Sequence, residues 1–354
     1  MASLKGGHMP TEAQIRRLVF GERAFERVDV GDDRVFYETD RMVPHLDTEA
    51  LRVVSEIIGA LVVEERPEIL DLMASWDSHL PEGMRPGRVV GLGLNQRELG
   101  ANRVLDERVV HDLNRDPELP FPDRSFDVVL VTVSVDYLTR PFEVMASAAR
   151  VLRPGGLLLV LFSNRFFPEK VVRVWREASD QERLLIVQDY LGACELLDEC
   201  ETVSVQGRPR PETDRYARIG LPSDPVYAVW AERVGGPGDR PRRRPPDLNP
   251  CRVRDPAELK RRKAAISGTL RCPYCDDRLR KWAVPQTPFT EWDEEFMYVC
   301  FNDRCPYLLR GWQTMARQGN DGFSYRFMYN PGNRLCTAIP VPSLTALRES
   351  IVDG

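Results

Sequence analysis

Between Glu68 and Asn164 the chain carries five short apolar runs, EILDL, RVVGLG, RVVHDL, DVVLVTV and LLLVLF, each bounded by polar residues, Gly or Pro. They are near-continuous in Val, Leu and Ile rather than alternating. Strands of that kind are buried on both faces, which in a globular α/β protein requires a parallel sheet with helices on each side. The runs place strands near 68–72, 88–93, 108–113, 127–133 and 157–162, with helical periods between them. Ligands bind such sheets beyond the carboxyl ends of the strands. The residues of interest are therefore Asp71 to Asp77, Gly91 to Asn95, Asp112 to Asn114 and Thr132 to Tyr137.

The rest of the chain is organised around this unit. Residues 1–40 mix charge with a weak helical period at Ile15, Leu18, Val19 and Phe25. In DTEALRVVSEIIGALV, Leu51, Val54, Ile57, Ile58 and Leu61 recur at three and four residues, and Asp47 or Thr48 can cap the helix. PFEVMASAARVL (141–152) reads as a helix stopped by PGG at 154–156, and 168–197 as largely helical. Two late strands fall near 201–205 and 226–232. These readings divide the chain into an α/β domain over 1–234, a basic Pro-rich linker over 235–263 and a small domain over 264–354.

A formal net charge of −5 makes no general case for nucleic acid. From Arg240 to Lys263 ten Lys/Arg face three Asp/Glu, but no aromatics are interleaved, so a solvated linker is the reading. No apolar stretch approaches 18 residues and the N-terminus lacks the apolar core of a signal peptide, so no membrane span is expected. Half of the eight cysteines sit in CPYC and CFNDRC, which is a metal-site pattern rather than a disulfide framework. That points to a reducing, cytoplasmic setting.

Cys272, Cys275, Cys300 and Cys305 are spaced to hold one ion: a Cys-x2-Cys turn aims two thiolates at it and a distant pair completes a tetrahedron. Rubredoxin-like iron uses the same ligands, but the Cys-x4-Cys second half favours zinc in a zinc-ribbon-like domain. Four thiolates leave no open position, so the role is structural. Trp282, Trp292, Trp312, Tyr298, Tyr307, Tyr325 and Tyr329 surround it, some over the metal and some free to meet a protein partner or the substrate.

FDVVLVTVSVDYL followed by RVLRPGGLLLVLFSN resembles the fourth strand, following helix and fifth strand of the Rossmann-like methyltransferases that use S-adenosylmethionine. The likeness runs over roughly 60–233. It implies a doubly wound, mostly parallel sheet with a final antiparallel strand, and S-adenosylmethionine as cofactor. The family usually has a Gly-rich turn after strand one, where this chain has Met73-Ala74-Ser75-Trp76-Asp77. It usually has an acid for the ribose after strand two, where this chain has Gly93, with Asn95 and Glu98 near enough to substitute. Asp112, Leu113 and Asn114 match the adenine-facing position. The resemblance thus assigns Asp71, Ser75, Asp77, Gly91, Asn95, Glu98, Asp112, Leu113, Asn114 and Ser134 to the cofactor.

Methyl transfer from a sulfonium is an in-line displacement, needing an aligned acceptor and, if that acceptor is protonated, a base. Asp136 and Tyr137 past strand four could orient or deprotonate it, and Arg165 past strand five could clamp a carboxylate or phosphate. His79 and His111 are alternative bases, with His111 placed inside strand three; His45 reads as a turn residue at the pocket mouth. HExxH, GxSxG and GxxxxGK are all missing. Two functions follow. One is a methyltransferase for a small-molecule or protein acceptor, with a zinc domain aiding recognition. The other is a non-catalytic adaptor on a degenerate methyltransferase fold.

Overall fold

A computed structural model describes residues 20–352, apart from 22, 236–242, 245, 247, 249–254, 287–291, 293 and 321. Ile15, Leu18 and Val19 therefore lie outside the described residues. Seven strands form one sheet in the order β3-β2-β1-β4-β5-β7-β6. They are β1 Glu68–Leu72, β2 Arg88–Gly93, β3 Glu107–Val110, β4 Phe126–Thr132, β5 Leu152–Phe162, β6 Glu201–Val205 and β7 Val226–Glu232. Strands β1 to β5 are parallel, while β7 runs antiparallel to both β5 and β6. The strand order reverses between β1 and β4, where a crevice opens at the carboxyl edge.

Successive residues of the central strands feed two cores, as the two-residue period demands. Leu70, Val129, Val131 and Leu158 pack with Val144, Met145, Ala148 and Tyr190 of the helices Pro141–Val151 and Asp180–Gly192. Ile69, Val128, Leu130 and Leu159 pack with Val53, Val54, Ile57, Ile58 and Leu61 of the helix Thr48–Leu61. Asp47 is that helix's cap, accepting from the backbone N–H of Glu49 and Ala50 at 3.0 and 3.2 Å.

Three expectations are corrected. β3 ends at Val110, not 113, and is largely exposed, because it is the edge strand and pairs only with β2. His111 is accordingly outside the strand and half-buried. β5 starts at Leu152, so PGG lies inside the strand: the β4–β5 register slips between Phe126 and Val128 to admit it. A Cβ on Gly156 would come within 2.8 Å of Arg153 O and 2.9 Å of Asp127 O, so only glycine fits. The basic segment is not wholly solvated either. Arg243 is buried, with Nε donating to Leu61 O at 2.8 Å, Nη1 to Gly155 O at 3.1 Å, and ion pairs to Glu64 and Glu232. Pro256–Ala264 is a helix capped by Asp255.

Past residue 264 an antiparallel sheet has the order β11-β10-β9-β8. Its strands are β8 Arg280–Ala283, β9 Phe296–Val299, β10 Ser324–Tyr329 and β11 Cys336–Val341. The helix Pro306–Arg317 lies on β10, where Gly311 lets Ser324 approach and donate to Leu308 O at 2.6 Å. Trp312 of this helix rests on Gly207, which follows β6: a Cβ there would be 1.8 Å from the indole Nε1. No helix among the described residues is long and apolar enough to cross a membrane.

Candidate functional site

A cavity of about 530 Å³ opens at the carboxyl ends of β1 to β5. Three of the strand-end segments singled out in the sequence reach it through Asp71 and the Met73–Asp77 turn, Gly93 to Asn95, and Asp112 to Asn114; His111 and, past β5, Asn164 to Phe167 join them. After β4, Thr132 to Ser134, Tyr137 and Leu138 line it. The remaining wall is the segment from Tyr37 to Leu46, with Asp33 behind it. That segment carries no motif, and only the position of His45 hinted at it. Three lining residues, Met73, His79 and Val133, hold left-handed φ of 56°, 55° and 51°. Such backbone is uncommon outside glycine and needs surroundings that enforce it.

The turn after β1 forms without glycine because Met73 itself takes the left-handed conformation. Ala74 then donates its N–H to Leu92 O at 2.8 Å, which lays the Ala74 carbonyl over Gly93. A Cβ on Gly93 would stand 2.3 Å from that oxygen, so an acid cannot occupy this position on this backbone. Glu98, nearly buried on the helix Gln96–Ala101, brings a carboxylate to the same corner. It is already engaged, accepting from Ser75 Oγ at 2.5 Å and from the Arg41 N–H at 2.6 Å. Asn95 caps that helix through Oδ1 and donates Nδ2 to Tyr37 O and Asp40 Oδ1, both at 2.9 Å. Ser75, Asn95 and Glu98 thus tie the segment from Tyr37 to Arg41 to the sheet.

Asp71 is 3% exposed, and burial pushes its carboxyl up to about 7 against the pull of the Ser78 hydroxyl. Asp112 accepts from the N–H of Asn114 and Arg115 through Oδ1, at 3.0 and 3.3 Å. Asn114 spends its whole amide on the frame. It donates to Asp33 Oδ2 at 2.9 Å and Tyr137 O at 3.0 Å, and accepts from Thr139 N and Oγ1 at 2.8 and 3.1 Å. Burial raises the Asp33 carboxyl, but hydrogen bonds from Arg27, Asn114 and the fully buried Lys170 outweigh it and hold the group below its ordinary range. Leu113 is buried with its flank on the cavity. Gly91 is outside the cavity wall; a Cβ there would stand 2.4 Å from Leu105 Cδ1, so its absence makes room for that side chain.

The end of β4 presents two buried hydroxyls, Thr132 Oγ1 and Ser134 Oγ, that have no partner among the described residues and belong to cavity-lining side chains. Buried polar groups of this sort call for a ligand or water. The catalytic candidates fare differently. Asp136 does not line the cavity; it is 3% exposed and burial pushes it up to about 7. Tyr137 lines the cavity, but its oxygen accepts from the Phe167 N–H at 2.9 Å, and burial followed by the nearby Asp136 charge pushes the phenol far up. It stays protonated and cannot be a base. Arg165 is exposed on the cavity wall, with no ion-pair partner among the described residues. His111 Nε2 is committed to Asp116 O at 2.8 Å.

The four cysteines converge in the second unit, all buried, with their Sγ atoms within 4.8 Å of one another. Sγ of Cys272 and Cys305 are 3.8 Å apart, and those of Cys275 and Cys300 3.6 Å. Those spacings exclude disulfides, whose S–S bond is about 2 Å. A tetrahedron with Zn–S of about 2.3 Å has edges of about 3.8 Å, so the thiolates fit zinc. Trp312, Phe327 and Tyr329 pack in the same cluster, whereas Trp282 belongs to a separate one.

Residues 78–160 match the family model described as a methyltransferase domain. Among curated proteins, the chain is 48% identical over 123 residues to 27-O-demethylrifamycin SV methyltransferase of Amycolatopsis mediterranei, covering 32% of this chain and 44% of that one. It is 36% identical over 107 residues to the ubiquinone/menaquinone biosynthesis C-methyltransferase of Laribacter hongkongensis, covering 29% and 43%. The chain thus spans less than half the length of these relatives. Among solved structures, one chain from the Haloferax volcanii complex of a methyltransferase activator and a methyltransferase covers 52% of this chain and 91% of itself, at 17% identity and TM-score 0.39. A SAM-dependent methyltransferase from Archaeoglobus fulgidus covers 52% and 92%, at 14% identity and TM-score 0.37. Residues 78–160 thus carry the match to the methyltransferase-domain family, and the seven-stranded sheet they help to build, parallel but for β7, has the Rossmann-like arrangement of that domain.

Proposed function

We propose that the chain is an S-adenosylmethionine-dependent methyltransferase whose cofactor occupies the cavity at the ends of β1 to β4. The observation that carries this reading is the cavity itself. It lies at the switch point of the sheet, and buried Thr132 and Ser134 hydroxyls there lack partners among the described residues. Asp112, with one carboxylate oxygen in its own turn, keeps the other for the adenine amino group. Asp71 and the Met73–Asp77 turn face the methionine part. Ser75, Asn95, Glu98 and Asn114 build the pocket by holding its wall, and Gly91 serves packing alone.

On this reading the acceptor enters over Val43, Pro44, Trp76, Phe166 and Phe167, with Arg165 to orient an anionic group. The relatives are named for rifamycin and for ubiquinone and menaquinone biosynthesis, which favours a small organic acceptor over a protein. A degenerate adaptor is the weaker reading, since the glycine-free turn leaves the cavity open. The four-cysteine unit holds structural zinc and offers the cluster of Tyr274, stacked on Tyr307, and Tyr325, tilted against it, to a protein partner. Titration calorimetry of the full chain with S-adenosylhomocysteine tests the cofactor assignment: saturable heat is expected, and none at millimolar ligand refutes it.

A further inference from the structure

With Tyr137 protonated, Asp136 outside the cavity and His111 tied to a carbonyl, the proton acceptor must be sought elsewhere on the cavity wall. Two histidines remain there, His45 and His79. His45 stands edge-on to Phe167 with ring centroids 5.6 Å apart, burial lowers its affinity for a proton, and no carboxylate among the described residues pairs with it. His79 differs. Its Nδ1 lies 3.1 Å from Asp77 Oδ2, while Asp77 Oδ1 accepts the His79 backbone N–H at 2.8 Å. One carboxylate thus fixes both the ring and the backbone of the same residue. The His79 side chain is 18% exposed and lines the cavity, and Nε2 has no partner among the described residues.

A carboxylate on Nδ1–H selects the tautomer that leaves a lone pair on Nε2, and it stabilises the imidazolium once that lone pair takes a proton. The backbone adds a second constraint: φ of 55° at His79 is held by the Asp77 contact and by the turn, in which Asn102 Nδ2 donates to Ser75 O and Ser78 Oγ at 3.0 and 2.9 Å. The ring is therefore positioned from both ends.

We propose that the Asp77–His79 pair is the proton acceptor for methyl transfer onto an O–H or N–H group, Nε2 taking the proton. This rests on the S-adenosylmethionine reading above. A lone pair on the acceptor's oxygen or nitrogen forms the new bond to the methyl carbon. The C–S bond breaks, its electron pair returns to sulfur, and the sulfonium becomes a neutral thioether. The acceptor's proton passes to Nε2, and the resulting imidazolium faces Asp77. The cation lost at sulfur reappears on the ring, so charge balances. The other ionisable groups that reach this corner are Asp71 from β1, His45 and Arg41 from the outer wall, and Glu98 from the helix Gln96–Ala101. Glu98 already accepts from Ser75 and Arg41, and Asp71 lies deeper with Ser78 as its donor, so neither competes for the acceptor's proton.

Long-range proton–nitrogen NMR on the full chain labelled with 15N-histidine tests this directly. The chain has four histidines, so a single His79→Asn variant assigns the signal. Asn tolerates left-handed backbone and keeps the turn. The expected spectrum at pH 8 shows His79 protonated at Nδ1 and bare at Nε2. Saturating S-adenosylhomocysteine should move the Nε2 signal, and His79→Asn should keep affinity for that ligand within about twofold by calorimetry. A ring bare at Nδ1, or doubly protonated when ligand is bound, overturns the proposal. So does a tenfold loss of affinity in His79→Asn, which would make the residue a cofactor ligand. If S-adenosylhomocysteine gives no heat with the wild type, the methyltransferase reading itself fails, and the proposal falls with it for that separate reason.

Discussion

Met73 and Gly93 explain each other. A left-handed Met73 costs about 1–2 kcal/mol relative to glycine, and in exchange the next carbonyl lies flat over the end of β2, where only glycine fits. Gly93→Ala should therefore destabilise by about 3 kcal/mol in thermal or urea melts, because backbone rather than a flexible side chain blocks the new methyl. Asp112 separates two roles. Asp112→Asn keeps an acceptor for the Asn114 and Arg115 N–H groups but loses the charge, whereas Asp112→Ala loses both. Removing a charge-assisted bond worth roughly 1.5–3 kcal/mol should weaken S-adenosylhomocysteine binding roughly ten- to a hundredfold in both variants. Only Asp112→Ala should also melt earlier. Asp136 offers a pH test. Its folded-state value of about 7 lies above the ordinary 3.8, so its contribution is complete below about pH 4 and is lost as pH rises through 7. Asp136→Asn should gain stability over wild type at pH 8, on the order of a few kcal/mol, and nothing at pH 4. The strand-end positions were legible in the sequence because strands read as apolar runs. Which of their atoms are already spent was not, since Asn95 reaches Tyr37 and Asp40, and Asn114 reaches Asp33, each more than fifty residues away in sequence.

At the scale of elements, periodicity located the helix Thr48–Leu61 and the four inner strands β1, β2, β4 and β5, all buried by packing on both faces. It overran on β3, which pairs with β2 alone and leaves Glu107, Arg108 and Val110 exposed. It also read PGG as a stop, because turn composition says nothing of a register slip that a neighbouring strand can absorb. Arg243 shows the same limit: a run of arginines reads as solvated, yet three carbonyl and carboxylate partners from distant segments bury one of them. The contact between Gly207 and Trp312 joins the two sheets' surroundings. Gly207, at φ 68° with the indole where a Cβ would be, tolerates no side chain. Gly207→Ala should expose the helix Pro306–Arg317 to limited proteolysis while leaving the cavity's ligand affinity within about twofold.

For the whole molecule, the four thiolates and the cavity make separable claims. Elemental analysis of reduced protein should return close to one zinc per chain. Cys272→Ser should lose the metal and the ordered fold of the four-stranded sheet, since that unit has only a thin aliphatic core, while the seven-stranded sheet persists with its own two cores. Iron, or no metal, would contradict this. The central claim is that the cavity beyond β1 to β4 takes S-adenosylmethionine, and titration calorimetry of S-adenosylhomocysteine into the full chain and into Asp112→Asn tests it most directly. Saturable binding to the wild type is expected, weakened roughly ten- to a hundredfold in the variant. No heat with wild type at millimolar ligand, or equal affinity in the two proteins, would contradict it.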